Sequence, residues 1–173
     1  MLQSELCFLQ LSALLWFRKA SKVDRTRQLG RVCQENRNVA NPTAAVTDTH
    51  PLVFYASGRK RLGRRAVAHF EACEQRRSII YVPVAVIWEM SLLIRVGRIN
   101  LRRSLQDFFD DLFSNPAYQP LDLTTEQVYL ADDVQPNNDP FDALICAAAR
   151  SLSLPLISRD GDIQDSGLVQ LLW

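Results

Sequence analysis

From Asp139 to Asp160 the chain reads Asp-Pro-Phe-Asp-Ala-Leu-Ile-Cys-Ala-Ala-Ala-Arg-Ser-Leu-Ser-Leu-Pro-Leu-Ile-Ser-Arg-Asp. This stretch constrains the fold more than any other. Pro140 suits the first turn of a helix that ends near Leu152. Its run of small apolar residues, Ala143 to Ala149, suits close packing against a sheet. Leu154–Ile157 then reads as a strand that delivers Ser158, Arg159 and Asp160. The same alternation extends upstream. Ala44–Val46 is a short strand ending at Thr47-Asp48-Thr49-His50, and Pro51 fits the first turn of the next helix. A helix from Arg64 to about Gln75 presents Val67, Phe70 and Cys73 or Glu74 at helical spacing. Ser78–Val82 is a buried strand, and Pro83 opens a helix that stops at Gly97. Leu105–Phe113 is a helix with Phe108, Phe109 and Leu112 inward. Tyr118–Leu121 is a strand, Thr124 or Thr125 caps a helix to about Ala131, and Val169–Leu172 is the last strand. Strands alternating with helices predict an α/β fold with a mostly parallel sheet covered on both faces. In such folds the ligand sits outside the carboxyl ends of the strands.

The length of 173 residues suits one domain, and 47% hydrophobic with 23% charged residues is a globular composition. Cys7, Cys33, Cys73 and Cys146 form no C-x-x-C pair and have no histidine at ligand spacing. A disulfide framework and a Cys/His zinc site are therefore not expected, and the expected setting is reducing and cytoplasmic. The net charge of +1 hides an asymmetry: residues 1–45 hold 7 Lys/Arg against 3 Asp/Glu, and residues 46–173 hold 13 against 16. Any nucleic-acid argument must therefore rest on local placement. Leu6–Phe17 is apolar but interrupted by Gln10 and Ser12, far short of the roughly 20 residues of a membrane span. Residues 1–17 are expected to form a short helix with Phe8, Leu11 and Leu15 on one face. Residues 18–43 read as a polar, basic tail.

The acids cluster where the strands end. Asp48 follows the first strand, and Asp160 and Asp162 follow the Leu154–Ile157 strand. Each also fits an ordinary strand-end or helix-start role, but two such ends in one parallel sheet bring carboxylates together. Glu89 and Ser91 are the polar side chains between Val82 and Ile94. A helix apolar on most faces is expected to be largely buried, so Glu89 should be paired or metal-bound unless it lies beside Arg95 or Arg98. Asp139, Pro140 and Asp142 fit N-cap, N1 and N3. Asp142 would then point from the packed layer toward the strand ends, with Asp139 a cap that leans into the site. The expected constellation is Asp48, Glu89, Asp142 and Asp160. Four converging carboxylates repel one another, and all-oxygen ligation suits Mg²⁺ or Mn²⁺. The chemistry this supports is metal-assisted phosphodiester hydrolysis by an activated water.

Asp48-Thr49-His50, Trp88-Glu89-Met90, Asn138-Asp139-Pro140-Phe141-Asp142-Ala143-Leu144-Ile145 and Ser158-Arg159-Asp160 resemble the ordered acidic motifs of PIN-domain nucleases. More narrowly, they resemble the VapC-type toxins of bacterial toxin–antitoxin operons. The resemblance runs from about Val46 to Trp173 and implies a PIN-like three-layer fold. It also implies a Mg²⁺- or Mn²⁺-dependent endoribonuclease, silenced by a cognate antitoxin protein and usually a homodimer. The family's metal ligands carry over to Asp48, Glu89, Asp142 and Asp160, with Asp139, Ser158 and Asp162 as candidate assisting residues. The sequence departs from the family pattern twice. Its first strand is less apolar than usual, which predicts a weak sheet edge, and 47 residues precede Asp48. Residues 1–43 are accordingly expected to be an N-terminal extension, or a region upstream of the true start, with the nuclease domain at 44–173.

Arg59, Lys60 and Arg61, with Arg64 and Arg65, form one basic cluster; Arg95 and Arg98, with Arg102 and Arg103, form another. Both are candidate tracks for an RNA backbone, since an acidic pocket must still attract a polyanion. Leu92, Leu93, Ile94 and Val96, with Phe108, Phe109 and Phe113, are candidates for an antitoxin or dimer face if they are exposed, and plain core otherwise. Two rival readings are a catalytically inactive PIN-like binding module and an Asp-nucleophile phosphatase. The phosphatase would want a second Asp where His50 stands, and a lysine in the later motifs.

Overall fold

The computed structural model describes Leu9–Gln10 and residues 43–173. The strands are β1 (Leu9–Gln10), β2 (Thr43–Thr47), β3 (Ser78–Pro83), β4 (Ile99–Asn100), β5 (Tyr118–Leu121) and β6 (Leu156–Ile157). The helices are α1 (Thr49–Ala56), α2 (Arg64–Glu74), α3 (Val84–Arg95), α4 (Leu105–Phe113), α5 (Thr125–Asp133), α6 (Pro140–Ser151) and α7 (Gly161–Ser166). The main sheet has the order β5-β3-β2-β6, and every pairing in it is parallel. Helices flank it in the three-layer α/β arrangement expected from the alternation of elements.

Local chemistry sets the element boundaries. Each of α1, α4, α5, α6 and α7 starts where a side chain accepts an otherwise unpaired amide: Asp48, Ser104, Thr124, Asp139 and Asp160 respectively. Thr124 and Gln127 complete a reciprocal capping box. Pro83 ends β3 in an extended conformation and starts α3 at once, so no loop separates the strand from its helix. Gly97, at φ +74°, then turns the chain after α3 as its position in the sequence predicts.

The core forms where both faces of the sheet are covered. Val46, Ile80, Val82, Leu156 and Ile157 are fully buried strand residues, packed with Phe70, Met90, Phe108 and Ile145 from the helices. Tyr55 and Phe70 stack at 4.3 Å between ring centroids, locking α1 against α2. The weakly apolar strand β2 lies inside the sheet between β3 and β6, so the expected weak edge does not arise. Ala45 is fully buried there and α6 packs on this strand, so small residues on both allow the helix and sheet to approach closely.

The structure departs from the expectations in three further places. Most of the N-terminal helix and basic tail expected over residues 1–43 lies outside the described residues. Leu9–Gln10, which are described, pair with β4 as a strand instead of joining a helix. The last expected strand, Val169–Leu172, contracts to a single parallel bridge between Leu156 and Leu171. Helix α3 is only half-buried: Val84 and Trp88 are exposed on it, and Glu89 is intermediate. Its apolar composition signals a face open to solvent as well as a face in the core. Phe108 and Phe109 are core, whereas Val96, on the turn after α3, is exposed; so are Leu123 before α5 and Val128 and Tyr129 on it.

Among the described residues no helix is long and apolar enough to cross a membrane.

Candidate active site

The chain runs from β2 outward to β3 and β5, then returns through α5 and α6 to place β6 on the other side of β2. The carboxyl ends of β2 and β6 therefore flank the point where the winding direction reverses, the usual ligand crevice of an open parallel sheet. Thr47 pairs with Ile157, and the Asp48 amide donates to the Ile157 carbonyl at 3.1 Å. That register sets Asp48 beside Ser158 at the floor of the crevice.

Asp48 is only 6% exposed, and both its carboxylate oxygens are engaged. Oδ1 accepts the Thr49 amide at 2.5 Å, which caps α1. Oδ2 accepts the Ser158 hydroxyl at 2.8 Å, across 110 positions of sequence. The Thr49 hydroxyl donates at 2.5 Å to Glu89 Oε2 on α3, so Thr49 links the first and second acids. Asp142, in the first turn of α6, accepts a hydrogen bond at 2.7 Å from the Asn137 amide group. Asp160 caps α7: its Oδ1 accepts the amides of Asp162 and Ile163, and its own amide donates to Ser158 Oγ at 3.1 Å.

The electrostatics join these groups into one site. Burial pushes the Asp48 carboxyl up; His50, Ser158 and the Thr49 amide pull it back, and the Asp160 charge raises it further. Burial likewise raises Glu89, opposed by the Thr49 hydroxyl and His50 and reinforced by the charges of Asp48 and Asp139. Asp142 is pushed up to about 6, first by burial, with Asn137 opposing and Asp48, Asp139 and Asp160 all adding repulsion. The structure thus brings Asp48, Asp142 and Asp160 within electrostatic reach of one another and Glu89 within reach of Asp48, with Asp139 adding charge from the α6 cap. Asp162 is exposed on the first turn of α7, and its amide serves the Asp160 cap.

Thr49, His50 and Asn137 belong to this network although no role followed for them from the sequence. Their signal was position: Thr49 and His50 adjoin the first acid, and Asn137 opens the run before Asp139. Of the candidate RNA contacts, Arg59 pairs with Glu71 at 2.5 Å and lies over the Tyr55 ring, while Arg95 lies over Trp88. Lys60, Arg61 and Arg98 are at least partly exposed.

The sequence matches the PIN domain family model over residues 45–167. The chain belongs to the PIN-domain family. A comparison with curated proteins found no match by sequence. Solved structures share the PIN fold. VapBC2 from Rickettsia felis, bound to a DNA fragment from its promoter, includes a chain that superposes with a TM-score of 0.56 at 13% identity, covering 75% of this chain and 97% of that one. FitAcB from Neisseria gonorrhoeae gives 0.52 at 16% identity, covering 75% and 96%.

The carboxylates of this PIN domain form an all-oxygen donor set whose burial and mutual repulsion a divalent cation would relieve. Among the described residues no three His, Cys, Asp or Glu side chains already stand together as a complete ligand set. That spread still fits Mg²⁺, which retains several waters and needs one or two direct carboxylates.

Proposed function

We propose that this PIN-domain protein is a metal-dependent endoribonuclease that hydrolyses RNA phosphodiester bonds, the VapC-like toxin of a toxin–antitoxin pair. The observation that carries the reading is the set of four acids at the switch point of the sheet, each within electrostatic reach of at least one other. Asp48, Glu89, Asp142 and Asp160 would hold Mg²⁺ or Mn²⁺. When bound, such a cation supplies an activated water and offsets charge on the scissile phosphate.

The protein's own side chains orient that set. Ser158 fixes Asp48 from the β6 side and Thr49 fixes Glu89 from α1, so both acids are held by hydroxyls on rigid elements. Asn137 performs the same task for Asp142. Asp160 presents its free Oδ2 while Oδ1 remains on the α7 amides. No side-chain nucleophile is needed.

The partners that go with this reading are an RNA substrate, a cognate antitoxin and a second copy of the chain, in the cytoplasm. The nuclease domain would begin one residue earlier than the sequence suggests, at Thr43 in β2, with the residues before it an extension. The VapBC2 and FitAcB folds support the toxin assignment by likeness of architecture.

The test is cleavage of a mixed pool of single-stranded RNA and tRNA by the full chain. Mg²⁺ or Mn²⁺ is compared with EDTA, and Asp48→Asn serves as the control. Cuts that need the metal and vanish in Asp48→Asn are expected. Undiminished cleavage by Asp48→Asn would remove the site assignment, and intact RNA with either metal would favour a binding module.

A further inference from the structure

An acidic cleft does not by itself hold a polyanion, so the cationic groups at its rim matter. Two guanidiniums converge on one ring there. Arg61, in the loop between α1 and α2, lies 5.6 Å from the Phe54 ring centroid, and Arg159, between Ser158 and Asp160, lies 5.5 Å from the same ring. The His50 ring meets Phe54 at 6.0 Å, and His50 stands two residues after Asp48. Phe54 is therefore a platform one helical turn beyond His50, with its basic neighbours bordering the cleft.

The arrangement is braced. Arg159 also lies 5.9 Å from the Trp173 ring centroid. A Cβ placed on Gly63 would come within 2.5 Å of the Trp173 backbone, so Trp173 sits directly on the loop that carries Arg61. One aromatic residue thus ties the two arginine-bearing segments together. Among the described residues the ion pairs are Arg59–Glu71 and Arg103–Asp111, and neither uses Arg61 or Arg159. Both arginines are exposed. Stacked, unneutralised guanidiniums are preorganised for phosphate oxygens, which they bind through planar forks of donors.

We propose that Arg61 and Arg159, seated on Phe54 at the rim of the acid cleft, form a subsite for an RNA backbone phosphate flanking the scissile one. The proposal rests on the ribonuclease reading above. It departs from the basic clusters visible in the sequence, because Arg59 is committed to Glu71 while Arg159, isolated in sequence, joins Arg61 in space.

Phosphate contacts carry no sequence information, so an RNA of mixed sequence reports them even when the preferred target is unidentified. The probe is a fluorescein-labelled, single-stranded 20-nucleotide RNA. Its binding to the full-length Asp48→Asn protein is followed by anisotropy between 50 and 200 mM KCl. Adding Arg61→Ala and Arg159→Ala together should weaken binding on the order of tenfold and reduce the salt slope by roughly 0.7, the value for one lost phosphate contact. Arg61→Lys with Arg159→Lys should recover much of the slope, since the charge remains, while affinity stays below that of the arginines. Arg77→Ala, at the amino end of β3, should change neither quantity. An unchanged slope in the double alanine variant, or no salt-dependent RNA binding to begin with, overturns the subsite. Cleavage by the otherwise unsubstituted protein is scored separately. If it cuts RNA while the double alanine variant binds like its parent, the subsite alone fails. If the arginines carry binding but no metal supports cutting, the catalytic reading alone fails.

Discussion

Asp48 combines two functions at one residue: it caps α1 through Oδ1 and contributes a buried charge to the acid cleft. Asparagine caps a helix as well as aspartate does, so Asp48→Asn should keep the fold while abolishing cleavage. In the metal-free protein its unfolding temperature should equal or exceed that of the parent, because one repelling charge is gone; a clear drop in thermal unfolding experiments would contradict this. Asp142 allows a sharper test through pH. Its folded pKa is raised to about 6 from the ordinary 3.8, so between these values the folded state binds more protons than the unfolded one. Stability of the metal-free protein therefore rises as pH falls from 6 toward 4, and is lost as pH rises through that window. Asp48 and Glu89, also raised, act with the same sign. Urea midpoints of the EDTA-treated protein measured across this range should show the rise, and Asp142→Asn should flatten it. An equally steep pH dependence in Asp142→Asn would show that the carboxyl is not under the strain of burial and its neighbours' charges.

Elements carry the next level of constraint, and Gly63 shows how a tertiary contact escapes a local reading. Its φ of −67° is open to any residue, so its backbone imposes no need for glycine. The need is for space, since an added Cβ would meet the Trp173 backbone at 2.5 Å and its ring at 2.6 Å. Gly63→Ala should destabilise the fold by about 1–3 kcal/mol, read as a lower urea midpoint, because overpacking forces the loop and Trp173 apart. A midpoint within error of the parent would mean that this contact yields freely. The elements that were legible in the sequence are those with strong local signals. Leu105–Phe113 matches α4 residue for residue, and Phe108, Phe109 and Leu112 are its buried face. The Asp139-Pro140 start of α6 likewise holds. Unforeseen elements such as β4 and α7, two and six residues long, are too short to display a period. The burial of α3 is not legible in the sequence, because apolar composition cannot distinguish a core-facing residue from Trp88, which is 51% exposed. Asp48 and Asp160 stand out in the sequence because strand ends in a parallel sheet share one edge, Glu89 because it is the one acid in an apolar helix, and Asp142 because it follows the Asp139-Pro140 helix start. Their hydroxyl and amide partners do not, because Ser158 and Asp48 become neighbours only through the β2–β6 register.

At the scale of the whole molecule, the acid cleft is assembled from residues 48, 89, 142 and 160, which the unfolded chain scatters. On the metal-dependent reading, a divalent cation held through one or two of them, with its waters oriented by the others, would bind the folded state and scarcely the unfolded one, so its binding would become folding stability. At a cation concentration 100 times the dissociation constant the gain is about 2.7 kcal/mol. For a chain of this size that corresponds to a rise in unfolding temperature of roughly 5–10 °C. Screening alone would act differently, since monovalent salt relieves exposed repulsion but cannot bridge buried carboxylates. Thermal unfolding of the full chain should therefore rise with Mg²⁺ or Mn²⁺ and fall back with EDTA, while KCl at equal ionic strength gives a smaller shift. The gain should shrink in Asp48→Asn and in Asp142→Asn, even though both variants begin at or above the parent in metal-free buffer. This crossing of effects, stabilising without the cation and costly with it, separates a cation site from a merely strained acidic cluster. If Asp48→Asn and Asp142→Asn gain as much from Mn²⁺ as the parent does, the cation binds elsewhere on the protein.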